Sequence, residues 1–436
     1  MLYYFLRLPI FLTFMVFYRK QYYYSFMKRA SRKESYVFAM NHPTAFLDPI
    51  LIAGIFPQSL NFLLRGDVFT SNFVQSLLRG VHTIPIYRER DGIANLRKNE
   101  EIIEYCHDLL GANKNLVILA EGFTEHGKRL KPIQKGLARI VFGSYDKHHN
   151  ENIVIVPAGA NYTNSDKFRG DAVTLSIGKP LYLKDYLEAH QDNPRKAIRL
   201  LTNDVAKALK EEVVHIEKKE DEPTTNKLLY MTRRDFKEGF FPFQVGKEML
   251  MLEQGVANMV NELEEETKED LFARTESYWE MMEKEGVSDL GMTRPKARNL
   301  LHALFLGLTW PLFAIGYALN FLPLWYAGKF TDQRVKKIEF HASLRFGAGL
   351  LFYFFYWLIL CIIAAVVGHP VLKGLIMGMP ILGAFTLFYM RRRELWREAT
   401  AVARLSKEKR KSLVDQRKEI MEELAQRVEA RKLATA

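Results

Sequence analysis

Between residues 34 and 192 the chain alternates short β-rich apolar runs with longer mixed segments. The runs at 35–40, 60–64, 82–87, 116–120, 153–157 and 172–177 read as strands, bounded by polar residues, glycine or proline. The segments 92–110 and 136–146 carry apolar residues at helical spacing. That alternation predicts an α/β fold, a mixed sheet flanked by helices. From 193 to 292 the pattern turns charge-rich and helical, with both signs crowded into 211–222. Pro223-Thr224-Thr225-Asn226 reads there as a loop. This stretch shows no chemical constellation, and it predicts a helical appendage serving as a lid or dimer contact.

Three later runs are too apolar for a soluble core. Residues 300–327 are apolar apart from His302 and small polar residues, and Pro311 and Pro323 interrupt them. Residues 346–367 carry no charge, and 375–390 are shorter but equally uncharged. A bilayer-spanning helix needs about 20 apolar residues, so these runs predict integral membrane attachment. Lys329, Arg334, Lys336, Lys337 and Arg345 precede the second run, and Arg391-Arg392-Arg393 follows the third. The positive-inside tendency puts both clusters on the cytoplasmic side, with the last two runs forming a hairpin that turns near 368–374. If the site also faces the cytoplasm, 300–327 enters and leaves by one face as a broken or re-entrant helix. Three simple spans are the alternative. The tail 394–433 is basic and rich in opposite-charge neighbours, which predicts a solvated or membrane-surface helix.

At the other end, residues 1–17 are apolar and aromatic with one interior charge, Arg7. They lack a basic start and a small-residue cleavage site, so a removable signal peptide is not expected. With Tyr22, Tyr23 and Tyr24 beside Arg19, Lys20 and Lys28, the segment suits an interfacial anchor; a buried N-terminal helix is the plainer reading. The expected division is therefore 1–33 interfacial helix, 34–192 α/β domain, 193–292 charged helices, 293–393 membrane region and 394–436 basic helical tail.

A net charge of +12 implies an anionic partner, whether nucleic acid, anionic lipid or a phosphorylated substrate. The basic residues cluster beside the membrane runs and no nucleic-acid recognition motif appears, so nucleic acid is not expected. The two cysteines, Cys106 and Cys361, lie in unlike settings, so a disulfide framework and a cysteine nucleophile are both disfavoured. His82, His126 and His148 have no metal-ligand spacing, and no metal is implied.

The segment carrying the most chemistry is Asn41-His42-Pro43-Thr44-Ala45-Phe46-Leu47-Asp48-Pro49. A histidine can accept a hydroxyl proton, and a nearby carboxylate can hold its tautomer. On a regular helix His42 and Asp48 would point to separate faces. Pro43 and Pro49, however, disfavour helical geometry at the residues before them. A strand-to-helix turn could therefore join the two side chains. In the bland alternative Asp48 is simply a helix N-cap with Pro49 at the first helical position, and both roles can coexist. Further along, Ile84-Pro85-Ile86-Tyr87-Arg88 ends a strand on a cation. Glu121-Gly122 follows another strand, then come Lys128, Arg129, Lys131 and Lys135-Gly136, and Val156-Pro157 closes a third. Strand ends are where α/β folds assemble sites. Arg88 could hold a phosphate bidentately and Lys135 could add a point charge; each alone is more often a solvated surface residue.

The order of these blocks resembles the membrane phospholipid/glycerol acyltransferases, the lysophosphatidate-acyltransferase-like superfamily. The family's histidine–aspartate block falls on His42 and Asp48, and its arginine block on Gly80, Ile84, Pro85 and Arg88. Its Glu-Gly block falls on Glu121 and Gly122 with Lys135-Gly136 after it, and its Val-Pro block on Val156 and Pro157. Two departures stand out. Five residues separate His42 from Asp48 where most members have four, a longer form similar to the branch of glycerol-3-phosphate/dihydroxyacetone-phosphate acyltransferases. Thr124 stands where the family usually has arginine, so a phosphate contact is lost or passes to Lys128 or Arg129.

The resemblance implies a glycerolphosphate-acyltransferase-like domain at the cytoplasmic membrane surface. It implies His42 as general base and Asp48 as its orienter. Arg88 and Lys135 would hold the acceptor phosphate, in a pocket shaped by Glu121, Gly122 and Pro157. It implies acyl-CoA or acyl-carrier protein as co-substrate, with no separate cofactor, and glycerol 3-phosphate or a related compound as acceptor. Lysophosphatidate is the alternative acceptor. A non-catalytic lipid-binding scaffold of the same fold is a further reading, to which Thr124 lends some weight and the presence of both His42 and Asp48 does not. Membrane lipid is the remaining expected partner, and nothing in the pattern fixes an oligomeric state.

Overall fold

The computed structural model describes residues 2–27, 29–69, 71–87, 93–163, 169–236, 239 and 241–435. Its contacts divide into two compact units that interleave along the chain. Unit 1 comprises Met1–Val214, Phe241–Leu250 and Lys337–Leu344, and unit 2 comprises His215–Phe240, Met251–Lys336 and Arg345–Ala436.

Unit 1 opens with helix α1 (Leu2–Phe17) and strands β1 (Tyr18–Ser25) and β2 (Ser35–Met40). Helix α2 (Leu47–Ile55), β3 (Leu60–Arg65), α3 (Asn72–Gly80) and β4 (Thr83–Ile86) follow. Then come α4 (Ile93–Gly111), β5 (Asn115–Leu119), α5 (Gly136–His148), β6 (Ile153–Tyr162) and β7 (Gly170–Ile177). The unit closes with β8 (Leu181–Tyr182), α6 (Leu187–Asp192), α7 (Pro194–Lys210) and β9 (Phe243–Val245). The strands form one sheet in the order β4-β3-β5-β2-β6-β7-β1-β9, with β8 paired to β6. The first five are mutually parallel; β7 is antiparallel to β6, and β1 and β9 run with β7. The expected mixed sheet flanked by helices is therefore present.

Strand β2 lies at the centre and is buried along its whole length, as a parallel strand covered on both faces must be. Its alternation sends Val37 and Ala39 into a core shared with Cys106 and Leu110 of α4, Leu137 and Val141 of α5, and Leu201 of α7. Tyr36 and Phe38 point the other way and meet Phe56, just after α2, edge-on at 5.9 and 4.8 Å.

The tyrosines expected to anchor the membrane interface do something else. Tyr22, Tyr23 and Tyr24 lie in β1, paired on one side with Thr174 to Ser176 of β7, and Tyr22 and Tyr23 also pair with β9. Aromatic residues suit a half-buried pleated surface, and here that preference prevails over the adjacent basic charges. Tyr4, Phe5, Leu8 and Leu12 of α1 remain exposed as an apolar face.

Unit 2 holds α8 (Glu222–Asp235), most of α9 (Glu248–Glu262), α10 (Glu265–Lys284), α11 (Asp289–Thr293), α12 (Leu300–Arg334) and all but the first turns of α13 (Ile338–Val367). They are followed by α14 (Pro370–Met377), α15 (Met379–Ala403) and α16 (Lys407–Thr435). Residues 223–226 are not a loop: they form the first turn of α8, where proline costs no hydrogen bond. Nor is the tail a freestanding surface helix. Leu413, Ile420 and Leu424 of α16 are buried, and Arg417 on the same stripe meets Asp289 at 2.6 Å and Asp235 at 3.1 Å.

Helices α12 and α13 are long and apolar enough to cross a membrane, and α14 with α15 would make a third candidate bent by 56° at its break. Despite Pro311 and Pro323, α12 is one continuous helix of 35 residues. The last two runs turn back on one another after Val367, with Trp357 Nε1 donating to Ile376 O at 2.9 Å and with Tyr353 and Met379 both meeting Asn320. Arg345 meets Asp332 and Tyr353 meets Asn320, so α13 runs antiparallel to α12. Asn320 also reaches Met379, and Tyr389 reaches Leu306, so α15 is antiparallel to α12 as well. Asn320 is thus a polar junction of three apolar helices.

Candidate active site

Parallel strands deliver their C-terminal ends to one edge of the sheet. Met40 at the end of β2 is in register with Leu119 of β5, so the segments starting at Asn41 and Ala120 leave the sheet side by side. His42 and Glu121 follow these two ends directly.

After β2 the chain turns sharply at Pro43 and enters α2 at Leu47. The N-cap position is Phe46, not Asp48, and Asp48 lies in the first turn of the helix. Its carboxylate therefore points back over the turn. It accepts hydrogen bonds from the Thr44 backbone N–H at 3.2 Å and the Thr44 hydroxyl at 2.6 Å, and lies 2.9 Å from His42 Nδ1. Asp48 is fully buried and His42 nearly so. The positive end of the helix dipole and these three contacts compensate the buried charge. With Asp48 ionised, Nδ1 carries the imidazole proton and the Nε2 lone pair is the base.

Glu121 braces the same turn from β5. One carboxylate oxygen accepts the His42 backbone N–H and the other the Lys131 backbone N–H, both at 3.0 Å. Burial pushes the Glu121 pKa up, while those two N–H groups and the nearby His42 pull it back. With both oxygens engaged by backbone, Glu121 shapes the pocket by holding two chain segments. Gly122 makes the turn after it at φ +77°, and a Cβ there would come within 3.0 Å of Gln134.

The other expected residues are placed less uniformly. Gln134 N–H donates to Ala120 O at 2.8 Å, which brings exposed Lys135 to this edge at the foot of α5. Pro157 is paired with Ala39 inside the sheet and buried, behind the edge. Arg88 lies outside the described residues. Lys128 donates to Tyr162 O at 2.8 Å and Arg129 pairs with Glu125 at 3.7 Å, so both cations named as substitute phosphate ligands have protein partners.

Three further residues serve the site. Asn41 exchanges two hydrogen bonds with the Ala160 backbone, at 2.9 and 2.8 Å, acting as an extra rung between β2 and β6. Thr44 supplies two of the three contacts to Asp48. Tyr162 packs its phenol nearby, its pKa driven well above the ordinary value by burial and by the Asp48 charge. A polar residue at the end of an apolar strand, and a hydroxyl four residues before an aspartate, are the sequence signals that mark Asn41 and Thr44.

Comparison with known proteins places this geometry. Residues 21–161 match the Acyltransferase family. Glycerol-3-phosphate O-acyltransferase 1 of Saccharomyces cerevisiae is 35% identical over 103 residues, 23% of this chain and 13% of the yeast protein. Glycerol-3-phosphate O-acyltransferase 2 of the same yeast is 29% identical over 112 residues, 26% of this chain and 15% of the relative. The chain thus spans less than a sixth of the length of either curated relative. The 1-acyl-sn-glycerophosphate (LPA) acyltransferase PlsC from Thermotoga maritima superposes with a TM-score of 0.34 at 13% identity, over 47% of this chain and 79% of that one. That structural likeness is too distant to carry weight. The match over residues 21–161 encloses His42, Asp48 and Glu121, and this chain carries a domain of the acyltransferase family.

Proposed function

We propose that the protein is a membrane-associated O-acyltransferase that moves a fatty acyl group from a thioester donor, acyl-CoA or acyl-carrier protein, to a hydroxyl of glycerol 3-phosphate or a close glycerol-phosphate relative. The observation that carries this reading is the buried His42 Nδ1–Asp48 pair at 2.9 Å, lying within the span matched by the acyltransferase family. The two yeast relatives, both glycerol-3-phosphate O-acyltransferases, support glycerol 3-phosphate as the acceptor.

In this mechanism His42 Nε2 takes the proton from the acceptor hydroxyl as its oxygen attacks the thioester carbonyl. The new C–O bond forms, the tetrahedral centre collapses with loss of the C–S bond, and the thiol leaves with the proton returned from His42. Asp48 fixes the tautomer and stabilises the imidazolium, as in hydrolase triads. General-base help of this kind is worth about 10²–10⁴ in rate. Arg88 and Lys135 are assigned to the acceptor phosphate, with Arg88 as the bidentate partner. The site is assigned to the cytoplasmic face because Lys329, Arg334, Lys336 and Lys337 immediately precede the segment of α13 that belongs to unit 1.

The test is release of free CoA from palmitoyl-CoA by detergent-solubilised protein, with glycerol 3-phosphate and lysophosphatidate offered separately. Release that requires glycerol 3-phosphate and falls by at least about 10²-fold in His42→Ala is the expected result. Release that requires lysophosphatidate would move the protein to the second acylation. An intact rate in His42→Ala would overturn the mechanism.

A further inference from the structure

The first turns of α13 belong to unit 1 and lie against the loop that joins His42 to Asp48. The Ala45 backbone N–H donates to Glu339 O at 3.2 Å, and the Phe46 backbone N–H donates to Ser343 Oγ at 2.9 Å. The Phe340 ring meets the Phe46 ring edge-on, with centroids 6.2 Å apart. Ser343 is buried. These contacts cover the two residues between Thr44, which grips Asp48, and Leu47, where α2 begins.

That placement matters because the His42–Asp48 bond closes a six-residue interval with no regular backbone in its first half. Phe46 is the N-cap residue of α2 and makes no side-chain cap. Thr44 N–H is satisfied by Asp48, whereas the next two amides find their acceptors on α13. The position of the catalytic carboxylate relative to the imidazole therefore depends on a helix almost 300 residues further along the chain. Three residues beyond Ser343, a rise of about 4.5 Å, the same helix enters the uncharged run 346–367.

We propose that residues 339–343 are a positioning element for the His42–Asp48 pair, with Ser343 as the positioning residue. Its hydroxyl fixes the Phe46 amide, the Phe340 ring fixes the Phe46 side chain, and together they hold the turn in which Asp48 faces Nδ1. A displacement of about 1 Å in such a pair costs on the order of 10²-fold in rate, so a contact that never meets substrate controls turnover. The proposal concerns the acyl-transfer site assigned above and rests on that reading for its kinetic consequence only.

The experiment compares full-length, detergent-solubilised wild type with Ser343→Ala, Ser343→Thr and Phe340→Leu by two readouts. Amide hydrogen exchange over residues 43–47 reports the loop without reference to any reaction. Exchange about tenfold faster in Ser343→Ala is expected, with wild-type protection in Ser343→Thr, because threonine keeps the accepting hydroxyl. In the CoA-release assay Ser343→Ala should lose about tenfold in kcat with KM for both substrates unchanged, and Ser343→Thr should recover it. Phe340→Leu should move both readouts in the same direction. Exchange and kcat in Ser343→Ala equal to wild type would overturn the proposal, as would faster exchange with kcat unchanged. Wild type that releases no CoA while Ser343→Ala still loosens the loop would remove the acyl-transfer reading and leave the clamp standing.

Discussion

At the residue scale, the site rests on carboxylates that do different work. Asp48 orients a base, whereas Glu121 is a bracket between two backbones. Glutamine in place of Glu121 offers one acceptor oxygen to two N–H donors, so one of them would face an amide NH₂. An unsatisfied buried donor of this kind costs about 1–3 kcal/mol. The charge has a separate signature. Because the folded pKa of Glu121 lies above its ordinary value of 4.5, the folded chain retains a proton that the unfolded chain has released. Its contribution to stability is then fully present below that ordinary value and is lost as pH rises through the raised one. Denaturation midpoints measured across mildly acidic pH should therefore fall as pH rises in wild type, and that slope should flatten in Glu121→Gln on top of the uniform loss. An unchanged slope would show that Glu121 is not the titrating group. His42, Asp48 and Glu121 were legible because proline and glycine punctuate the blocks that hold them. Asn41 and Thr44 were less so, since their work is done through backbone and carboxylate partners that only the folded turn brings near.

At the scale of elements, the six expected strands coincide with β2 to β7, and β2, β5 and β6, parallel to one another and buried almost throughout, read as near-continuous apolar runs. Strand β1 was hidden by its own composition: its Arg19, Lys20 and Gln21 break the apolar pattern while its tyrosines supply the sheet packing. Pro223 misled for a related reason, since the first turn of a helix and a loop both accept proline. The turn after β5 makes the strongest demand on a single position. Gly122 sits at φ +77°, where a Cβ costs roughly 1–2 kcal/mol before any contact with Gln134. Gly122→Ala should lower the melting temperature, and it should lower kcat as well because Glu121 hangs from the same turn. A variant with wild-type melting and turnover would mean the turn relaxes freely.

At the scale of the whole molecule, chain connectivity constrains how the apolar helices meet a bilayer. Among the described residues no helix between α1 and α12 is long and apolar enough to cross. At its C-terminal end α12 hands over, after Val335 and Lys336, to residues hydrogen-bonded to the His42 loop. At 35 residues α12 is about 52 Å long, longer than a bilayer core is thick. The proposed cytoplasmic site, with the cluster 329–337 on the same side, has α12 enter and leave by one face. In sealed vesicles Arg298→Cys and Lys336→Cys should react with an impermeant maleimide from the same side. Labelling from opposite sides would make α12 a true span.

The junction at Asn320 bears on how such a protein is made. Its amide bonds to Gly316 within α12, but its links to Met379 and to the Tyr353 hydroxyl exist only when α13 and the start of α15 are in place. Gly383 leaves the room for this, since a Cβ there would stand 2.7 Å from the Asn320 oxygen. An α12 released alone into hydrocarbon during synthesis would carry a partly stranded amide. The favourable order of biogenesis is therefore to hold α12 back until about sixty further residues have been translated, so that three helices leave the insertion machinery as one package.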